Sequence, residues 1–411
     1  MIEDWKTYTI NDCCEILDNL RVPLNSEERE KIQGNIPYYG ANGVQGYISK
    51  FLFDEELILM AEDGGNFDQF ATRPIAYKIS GKSWVNNHAH VLKAKNGFNQ
   101  DFIFYSIVHK NILFFIQGGT RSKLNQSDLK SIKLKFPKSK DEQSLIATIL
   151  ITIDQAIEKT EQLIAKYERI KIGLMQDLLT RGIDEEGNIR SEETHEFKDS
   201  VLGKIPKEWK IVKFESIAFP IDAQPDHRTP KESPDGIPYI GINDVDEHGT
   251  VGNNCRKVII EAYLKQKESF TIREGDIIFG KIGTVGFPKR LKEQQVVAIS
   301  ANVILLKPLI DPSFVFWLLE SEYVKRQVLN TAHSTSQAAF GMEKIRNLII
   351  ALPCEKEFKK IGEIIDKQQE CLQMEKQNLA KLKVKKTGLM QDLLTGKVRV
   401  DKLTFYNSKT I

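Results

Sequence analysis

The sequence predicts an α+β protein with two tandem mixed α/β units, separated and joined by two long helices that form an antiparallel coiled coil with pseudo-two-fold symmetry. Three observations predict this fold class. An eight-residue segment occurs twice, stretches rich in strand-forming residues precede each copy, and apolar residues at helical spacing lead into each copy. The 411 residues suffice for two or three domains, and 41% hydrophobic with 28% charged residues excludes extensive disorder.

The repeat defines the units. Residues 173–180 read GLMQDLLT and recur unchanged at 388–395, an offset of 215 residues. Shorter matches occur in the same order: Trp-Lys at 5–6 and 209–210, Ile-Pro-Tyr at 36–38 and 237–239, and the similar segments 89–92 and 301–304. Because the order is preserved, we interpret the chain as one unit of about 200 residues duplicated in tandem, which is too long for a solenoid repeat.

The first part of each unit, residues 1–137 and 204–353, is predicted to contain short strands, loops and a few helices. Both stretches are rich in Gly, Pro, Tyr and Asn, and both contain short apolar runs such as LILM at 57–60 and DIIF at 276–279. One helix is predicted at residues 312–329. These two stretches are the first and second predicted domains.

The second part of each unit, residues 138–181 and 354–396, is predicted to be one long helix. The apolar positions alternate spacings of four and three over about 40 residues, which makes each helix on the order of 60 Å long and is typical of a coiled coil. The stripe consists of Ile146, Leu150, Ile153, Ile157, Ile164, Tyr167 and Leu174 on the first helix and Ile361, Ile365, Leu372, Leu379, Leu382 and Leu389 on the second. Ordinary core helices of one large domain are the alternative interpretation.

The remaining segments are a predicted solvated linker at 182–203, rich in acidic residues and glycine, and a C-terminal tail at 397–411. Antiparallel pairing of the helices would place the two units at opposite ends of a rod, related by an approximate two-fold axis. Parallel pairing would require the linker to span the whole rod, so the antiparallel arrangement is expected.

Charge and cysteine content bound the function. With 58 basic and 56 acidic residues the net charge is +2, which excludes a uniformly basic surface but not a locally basic one. Five cysteines without a CxxC pair argue against a disulfide scaffold and a structural zinc site. No signal-peptide core is present and no run approaches 18 apolar residues. We therefore expect a cytoplasmic protein that does not bind a membrane.

No catalytic motif is found, so the chain is not expected to be an enzyme. The sequence Gly81-Lys82-Ser83 lacks the earlier glycine of a phosphate loop, since Ala76 stands there, and GxGxxG and GxSxG are absent. His88 and His90 are predicted to form hydrogen bonds rather than to bind a metal, because the second copy has Ser300 and Asn302 there and no Cys or acidic partner is evident nearby. Residues 280–283 (GKIG) are either an anion-binding loop or a tight turn.

Basic and amide side chains cluster in loops. Residues 131–140 carry four lysines and no acid, and the loop at 118–125 has a polar counterpart at 333–337. Such loops suit phosphate anchoring combined with contacts to base edges. The candidate DNA-contacting residues are Arg121, Ser122, Lys123, Asn125, Lys281, Lys289, Arg290, Ser334, Thr335, Ser336 and Gln337.

Taken together, these features resemble the specificity subunit of a type I restriction–modification system, over nearly the whole chain. The resemblance depends on the tandem unit-and-helix order, on PKSKDEQ at 137–143 before the first helix, on the two GLMQDLLT segments and on IPKEW at 205–209. The second copy departs at 355–358, where EKEF replaces the Glu-Gln pair.

The resemblance implies that each unit is a target recognition domain reading one half of a bipartite double-stranded DNA sequence. The helices would set the spacer between the half-sites and dock two modification (methyltransferase) subunits. S-adenosylmethionine, ATP and Mg would be bound by those subunits and by the restriction (ATP-dependent translocase and endonuclease) subunits, and none by this chain. The alternatives are a coiled-coil adaptor without DNA specificity and a stand-alone DNA methyltransferase or nuclease.

Overall fold

The computed structural model describes residues 5–118, 122–292, 296–332 and 340–400. The chain forms two compact units. Unit 1 comprises Met1–Glu161 and Gln377–Ile411, and unit 2 comprises Gln162–Lys376. Both boundaries fall inside the predicted long helices, so each unit contains part of each helix.

Unit 1 begins with mixed strands and short helices, followed by the first long helix. Its strands are β1 (Trp5–Thr9), β2 (Cys14–Ile16), β3 (Gln33–Gly40), β4 (Gly43–Ile48), β5 (Phe53–Asp54), β6 (Leu57–Ala61), β7 (Ala76–Ile79), β8 (Lys82–Val85), β9 (Ala89–Ala94), β10 (Ile116–Gln117), β11 (Lys123–Leu124) and β12 (Lys133–Pro137). Its helices are α1 (Ile10–Cys13), α2 (Ser26–Lys31), α3 (Gln100–Ile107), α4 (Gln126–Ser131) and the long α5 (Lys140–Thr180), which continues into unit 2.

Two four-stranded sheets organise unit 1. One is antiparallel in the order β2-β9-β6-β7, and the other, in the order β4-β3-β8-β5, contains one parallel pair, β3 with β8. Strand β6 is buried along its whole length, as its unbroken apolar sequence LILMA requires. Helix α3 and the start of α5 cover the same core through Phe102, Ile146 and Leu150.

Unit 2 repeats this plan. Its strands are β13 (Phe197–Ser200), β14 (Gly203–Pro206), β15 (Lys210–Lys213), β16 (Ala218–Asp222), β17 (Glu232–Ile240), β18 (Lys257–Val258), β19 (Ile277–Gly280), β20 (Pro288–Arg290), β21 (Ala298–Ile299), β22 (Val303–Pro308) and β23 (Ile349–Leu352). Its helices are α6 (Ile260–Ser269), α7 (Pro312–Glu320), α8 (Glu322–Ala332), α9 (Met342–Arg346) and the long α10 (Glu355–Leu393), which continues into unit 1.

The sheets of unit 2 correspond to those of unit 1. The order β16-β22-β19-β20 matches β2-β9-β6-β7, β18-β17-β21 matches β4-β3-β8 with the same parallel pair, and β15-β23 matches β1-β12. The predicted helix at 312–329 is two helices, because the backbone of Ser321 is extended and the Ser321 hydroxyl donates to the carbonyl of Leu318.

The long helices pair antiparallel within unit 1. Asp154 of α5 pairs with Lys386 of α10 at 2.6 Å, and Glu161 pairs with Lys383 at 2.8 Å. Residue numbers rise along one helix as they fall along the other, which fixes the direction.

The same direction holds within unit 2. Glu168 pairs with Lys376 at 2.9 Å, and Lys171 Nζ donates to Gln369 Oε1 at 2.7 Å. Gln368, a polar residue on the apolar stripe, donates to the carbonyl of Tyr167.

The predicted stripe residues are all buried or half-buried. Ile146 and Leu150 lie in the core of unit 1, and Ile361 and Ile365 lie in the core of unit 2. The stripe therefore packs against the sheets and helices of each unit near its beginning, in addition to facing the other long helix.

The structure corrects the prediction of a solvated linker at 182–203. Ile183 is buried, and the guanidinium of Arg190 is paired with the carboxylate of Glu357, a residue of α10. Strand β13 also pairs with β14 in this region. Most residues of this segment are acidic, glycine or otherwise polar, and only a few pack against the rest of unit 2. Composition averages over all of them and therefore predicts a more exposed segment than the structure has.

The tail predicted at 397–411 is likewise packed at its start. Arg399 forms a bidentate ion pair with Glu142 near the beginning of α5, at 2.7 and 2.9 Å, and Val400 is buried. Residues 401–411 lie outside the described part of the chain. Among the described residues, none of the helices is long and apolar enough to cross a membrane.

Candidate nucleic-acid interface

Three backbone hydrogen bonds bring together separate loops at one edge of the unit 1 sheets. The N–H of Asn86 donates to the carbonyl of Tyr39 at 3.0 Å, which ties the end of β8 to β3. The N–H of Glu62 donates to the carbonyl of His88 at 2.9 Å, and the N–H of Leu124 donates to the carbonyl of Glu62 at 2.7 Å. Residues distant in sequence thus line one site.

Unit 2 has the same three bonds. The N–H of Ser300 donates to the carbonyl of Ile240 at 2.9 Å, the N–H of Lys281 to that of Asn302 at 2.8 Å, and the N–H of Phe340 to that of Lys281 at 2.8 Å. The two units therefore share one backbone frame and differ in the side chains that it carries.

This frame corrects one sequence alignment. His88 corresponds to Asn302, whereas Ile304 stands where unit 1 has His90, because Met60 pairs with His90 and the equivalent Phe279 pairs with Ile304. The short match of 89–92 with 301–304 was therefore displaced by two residues.

In unit 1 the frame encloses a cleft of about 650 Å³, which we call cleft 1. Its wall is dominated by neutral polar side chains: Asn25, Asn42, Gln45, Asn86, Asn87 and His88. Glu28, Arg29 and Asp63 also line it, so cleft 1 has no excess of positive charge. Carboxamides without excess charge suit contacts to base edges better than contacts to phosphates.

In unit 2 the equivalent cleft, cleft 2, is smaller, at about 370 Å³. Asn243 stands where cleft 1 has Asn42, but the other polar side chains differ: His227, Thr229, Asp244, Arg256, Thr284, Ser300 and Asn302. Tyr239 lies in cleft 2 where Tyr38 lies in cleft 1. The shared tyrosines belong to the Ile-Pro-Tyr repeat, whereas most of the other polar groups differ.

A network of buried charged and polar side chains lies on or next to the strands that lead into cleft 1. His90 is fully buried; its Nδ1 lies 2.7 Å from Asp18 Oδ2 and its Nε2 lies 2.8 Å from the carbonyl oxygen of Leu124. Both ring nitrogens are therefore engaged by oxygen atoms of the protein. Burial of Asp18 opposes its ionisation, but the hydrogen bond and charge of His90, with donors on Gln126 and Val91, leave its pKa below the ordinary value.

Asp18, Glu62 and His90 form a group of three side chains with metal-ligand chemistry within the described residues. Positive side chains already neutralise it: Arg21 pairs with Glu62 at 2.7 Å, and Lys123 approaches Glu62 at 3.3 Å. Since both nitrogens of His90 are engaged, the group fits an ion-pair network better than a metal site. His88 is hydrogen-bonded too, to Asp63, as expected from the sequence.

Lys281, a predicted DNA-contacting residue, is placed unfavourably for that role. Lys281 is only 7% exposed, and its ammonium pairs with Asp222 at 2.7 Å. It occupies the position of Glu62 in the frame, and Asp222 corresponds to Asp18. A buried, paired lysine cannot reach a phosphate without losing this carboxylate.

Arg290, another predicted DNA-contacting residue, is held in an ion pair on the surface of unit 2. Its guanidinium donates to Asp366 of α10 at 2.7 Å and stacks over the ring of Phe316 at 4.3 Å. The indole N–H of Trp317 donates to the same carboxylate. Arg290 therefore fixes β20 and α7 to α10. Its neighbour Lys289 is half-buried on β20 and has no ion-pair partner within the described residues.

The loop candidates have mixed outcomes. The carbonyl of Ser122 accepts from the N–H of Gly64, a residue of cleft 1, and Lys123 remains 48% exposed beside that cleft. Asn125 donates to Gln117 across the β10–β11 hairpin. Arg121, Ser334, Thr335, Ser336 and Gln337 lie outside the described residues.

The loop at 280–283 is a tight turn. The N–H groups of Lys281 and Ile282 both donate to the carbonyl of Asn302, and a Cβ on Gly280 would lie 1.7 Å from the carbonyl oxygen of Thr284. These two amides are used internally, so the anion-binding alternative loses its donors.

Sequence reasoning did not identify Asn42, Gln45 and Asn86 as site residues. One signal was available, since an asparagine follows the Ile-Pro-Tyr segment at the same distance in both copies, at Asn42 and Asn243. Gln45 and Asn86 are 41 residues apart and meet only through the pairing of β3 with both β4 and β8.

A family model described as the type I restriction modification DNA specificity domain matches residues 2–169 and 206–384. The chain belongs to this family. It contains two copies of the specificity domain, which correspond to the duplicated unit inferred from the sequence.

Individual relatives agree with the family. The type I restriction enzyme MjaVIII specificity subunit of Methanocaldococcus jannaschii is 25% identical, over 98% of this chain and 95% of the relative. The type I restriction enzyme EcoprrI specificity subunit of Escherichia coli is 27% identical over 133 residues, 32% of this chain and 31% of the relative. The crystal structure of a type I restriction–modification system S subunit from M. genitalium has a TM-score of 0.63 at 16% identity, covering 95% of this chain and 96% of that chain, and shares the fold.

Proposed function

We propose that this chain is the non-catalytic DNA-specificity subunit of a type I restriction–modification complex. Each unit would read one half of a bipartite target through its cleft and the neighbouring polar loop. The observation that carries the proposal is the shared frame: three equivalent backbone hydrogen bonds present different side chains in cleft 1 and cleft 2. Two different half-sites read on one scaffold require this combination.

The paired helices, in this proposal, form an antiparallel coiled coil that sets the spacer between half-sites and docks two methyltransferase subunits. Cross-helix ion pairs in both units support the antiparallel direction. The same sheet order recurs in each unit, and two equivalent units would suit two copies of one partner.

Chemistry would belong to the partners. Methyltransferase subunits would bring S-adenosylmethionine, and restriction subunits would bring the ATP and Mg needed for translocation and cleavage. The near-neutral charge of +2 supports this division, because much of the positive surface around the DNA would then come from the partner subunits.

A domain exchange tests the proposal. Replacing residues 210–352 with the equivalent segment of another family member leaves Trp209, Arg190 and Glu357 in place, so the packing at the ends of the long helices is retained. When the exchanged chain is expressed with its methyltransferase subunits, we expect one half of the methylated motif to change while the other half and the spacer remain.

Methylated bases in host DNA, mapped by sequencing, provide the measurement, and the parent chain is the control. A change in both halves would contradict modular reading. Absence of any sequence-specific methylation with the parent chain would contradict the proposed function itself.

A further inference from the structure

Asn86 occupies a position in cleft 1 where its side chain has only one possible orientation. It is 3% exposed, and its Oδ1 accepts the backbone N–H of His88 at 2.8 Å. A backbone N–H is always a donor, so Oδ1 is identified without ambiguity and Nδ2 must point the other way. Nδ2 donates to Gln45 Oε1 at 3.0 Å.

The orientation of Gln45 follows from that of Asn86. Because Oε1 accepts from Asn86, the Nε2 group of Gln45 is directed away from it, and this NH2 group has no protein acceptor within the described residues. The amide lies directly over Gly40, where a Cβ would be 2.2 Å from Nε2. The carbonyl of Gly40 is in turn held by the hydroxyl of Tyr77. The exposed Gln45 side chain is therefore fixed before any ligand arrives.

We infer that Gln45 determines specificity by reading an adenine in the half-site bound by unit 1, with Asn86 as its positioning residue. The inference rests on the proposed function. In the major groove adenine offers N7 as an acceptor beside the N6 amino donor, and a carboxamide matches both. Nε2 supplies the donor, and Oε1 keeps a second lone pair for the N6 amino group. Guanine presents two acceptors and would place O6 against Oε1.

The reading group is confined to unit 1. In unit 1, Gly46 pairs with Tyr38, and in unit 2 the carbonyl of Arg256 accepts from the N–H of the equivalent Tyr239. Arg256 therefore corresponds to Gly46. The preceding residue, Cys255, corresponds to Gln45. Ser300 replaces Asn86 and accepts from the backbone N–H of Asn302 through its hydroxyl. Substitutions at Gln45 should therefore affect one half of the target only.

The test uses the full chain assembled with the methyltransferase subunits of its system and a DNA library randomised over both half-sites. Methylated molecules are sequenced to give the base preference at every position. Gln45→Glu keeps the size and the acceptor for Asn86 but removes the donor, so adenine preference at one position should fall about 10- to 100-fold, with cytosine favoured instead. Gln45→Ala should accept all four bases there.

Asn86→Asp tests the positioning role. An Asp carboxylate still accepts the N–H of His88, but its other oxygen would face Gln45 Oε1, so the Gln45 amide should turn over and lose its match to adenine. Adenine preference should then fall at the same position, although residue 86 is buried. Gln33→Ala, an exposed glutamine of the same unit that does not line cleft 1, is the matched control and should match the parent.

The outcomes separate the two ideas. Unchanged adenine preference in Gln45→Glu overturns the inference and leaves the proposed function intact. An equal loss of methylation at all sites, with an unchanged melting temperature of the chain, has the same meaning. If Gln45→Ala melts early, Gln45→Glu decides, since it retains the hydrogen bond to Asn86. A parent complex without sequence preference would instead refute the proposed function.

Discussion

The Asp18 carboxylate connects several parts of unit 1 at the scale of one residue. It accepts from the His90 ring and the Val91 N–H on β9, and from Gln126 at the start of α4, at 2.7, 2.9 and 3.0 Å. Arg21 lies 3.6 Å away. Removing this charge would leave the buried His90 ring and the nearby Arg21 guanidinium without their shared carboxylate.

We expect Asp18→Asn to lower the free energy of unfolding by about 3 kcal/mol near neutral pH, which is the usual cost of breaking a buried ion pair. The pKa of Asp18 in the folded chain lies below its ordinary value of 3.8. Its charge therefore stabilises the fold fully above that value, and this contribution is lost as pH falls through the lowered pKa.

Denaturant unfolding of the purified chain between neutral and acidic pH measures this effect. The gap between parent and Asp18→Asn should shrink as the solution becomes acidic, whereas Asp68→Asn, at an exposed position, should match the parent throughout. A gap that does not change with pH would show that the charge of Asp18 is not what stabilises the network.

Single residues also show which features could not be predicted from the sequence. The repeat and the helical spacing are local patterns, and they predicted the duplicated unit and two long helices. Lys281 is buried because it pairs with Asp222, a residue 59 positions earlier in the chain. The Gln45–Asn86 pair in cleft 1 forms because β3 lies beside β8. Such partners are chosen by sheet pairing between distant segments, which no local pattern reports.

At the scale of elements, the beginning of each long helix is fixed in the same way. Glu142 near the start of α5 pairs with Arg399, which follows α10, and Glu357 near the start of α10 pairs with Arg190, which follows α5. The two glutamates are separated by the repeat offset of 215 residues. Only the glutamine of the Glu-Gln pair is therefore missing from the second copy, where Phe358 stands.

Glu357 shows how much depends on this arrangement. One carboxylate receives Arg190, the indole N–H of Trp209 and the backbone N–H of Ile183, with the Arg190 Nη2–Oε2 contact at 3.2 Å. Gly182 lies so close that a Cβ there would be 2.1 Å from Glu357 Oε1. The φ of Gly182 is +65°, so glycine is required for two reasons.

We expect Glu357→Gln to lower the free energy of unfolding by about 3 kcal/mol, because Arg190 would remain buried without a counter-charge. Glu355→Gln is the matched control on the same turn of α10. Its pair with Lys359 is exposed and screened by solvent, so its loss should have little effect on stability. Chemical denaturation of the full chain measures both, and equal effects at the two positions would contradict the special role of Glu357.

At the scale of the molecule, the two long helices have distinct portions. Their beginnings belong to the cores of the units, whereas Ile164 and Leu379 lie outside the core clusters found among the described residues. A heptad can therefore be removed from the middle of each helix without deleting a side chain of those clusters. Residues 158–164 and 377–383 are suitable, because the cross-helix pair Glu161–Lys383 is removed as a whole.

This double deletion tests the spacer proposal. Seven residues correspond to about 10 Å of helix, or about three base pairs of DNA, and the heptad spacing of the stripe is preserved on both sides. With the methyltransferase subunits present, we expect both half-sites to be read as before, with a spacer shortened by about three base pairs, as mapped by sequencing methylated DNA. Methylation that kept the parental spacing would show that the helices do not set it. Changed half-sites with an unchanged spacer would contradict the separation of reading from spacing.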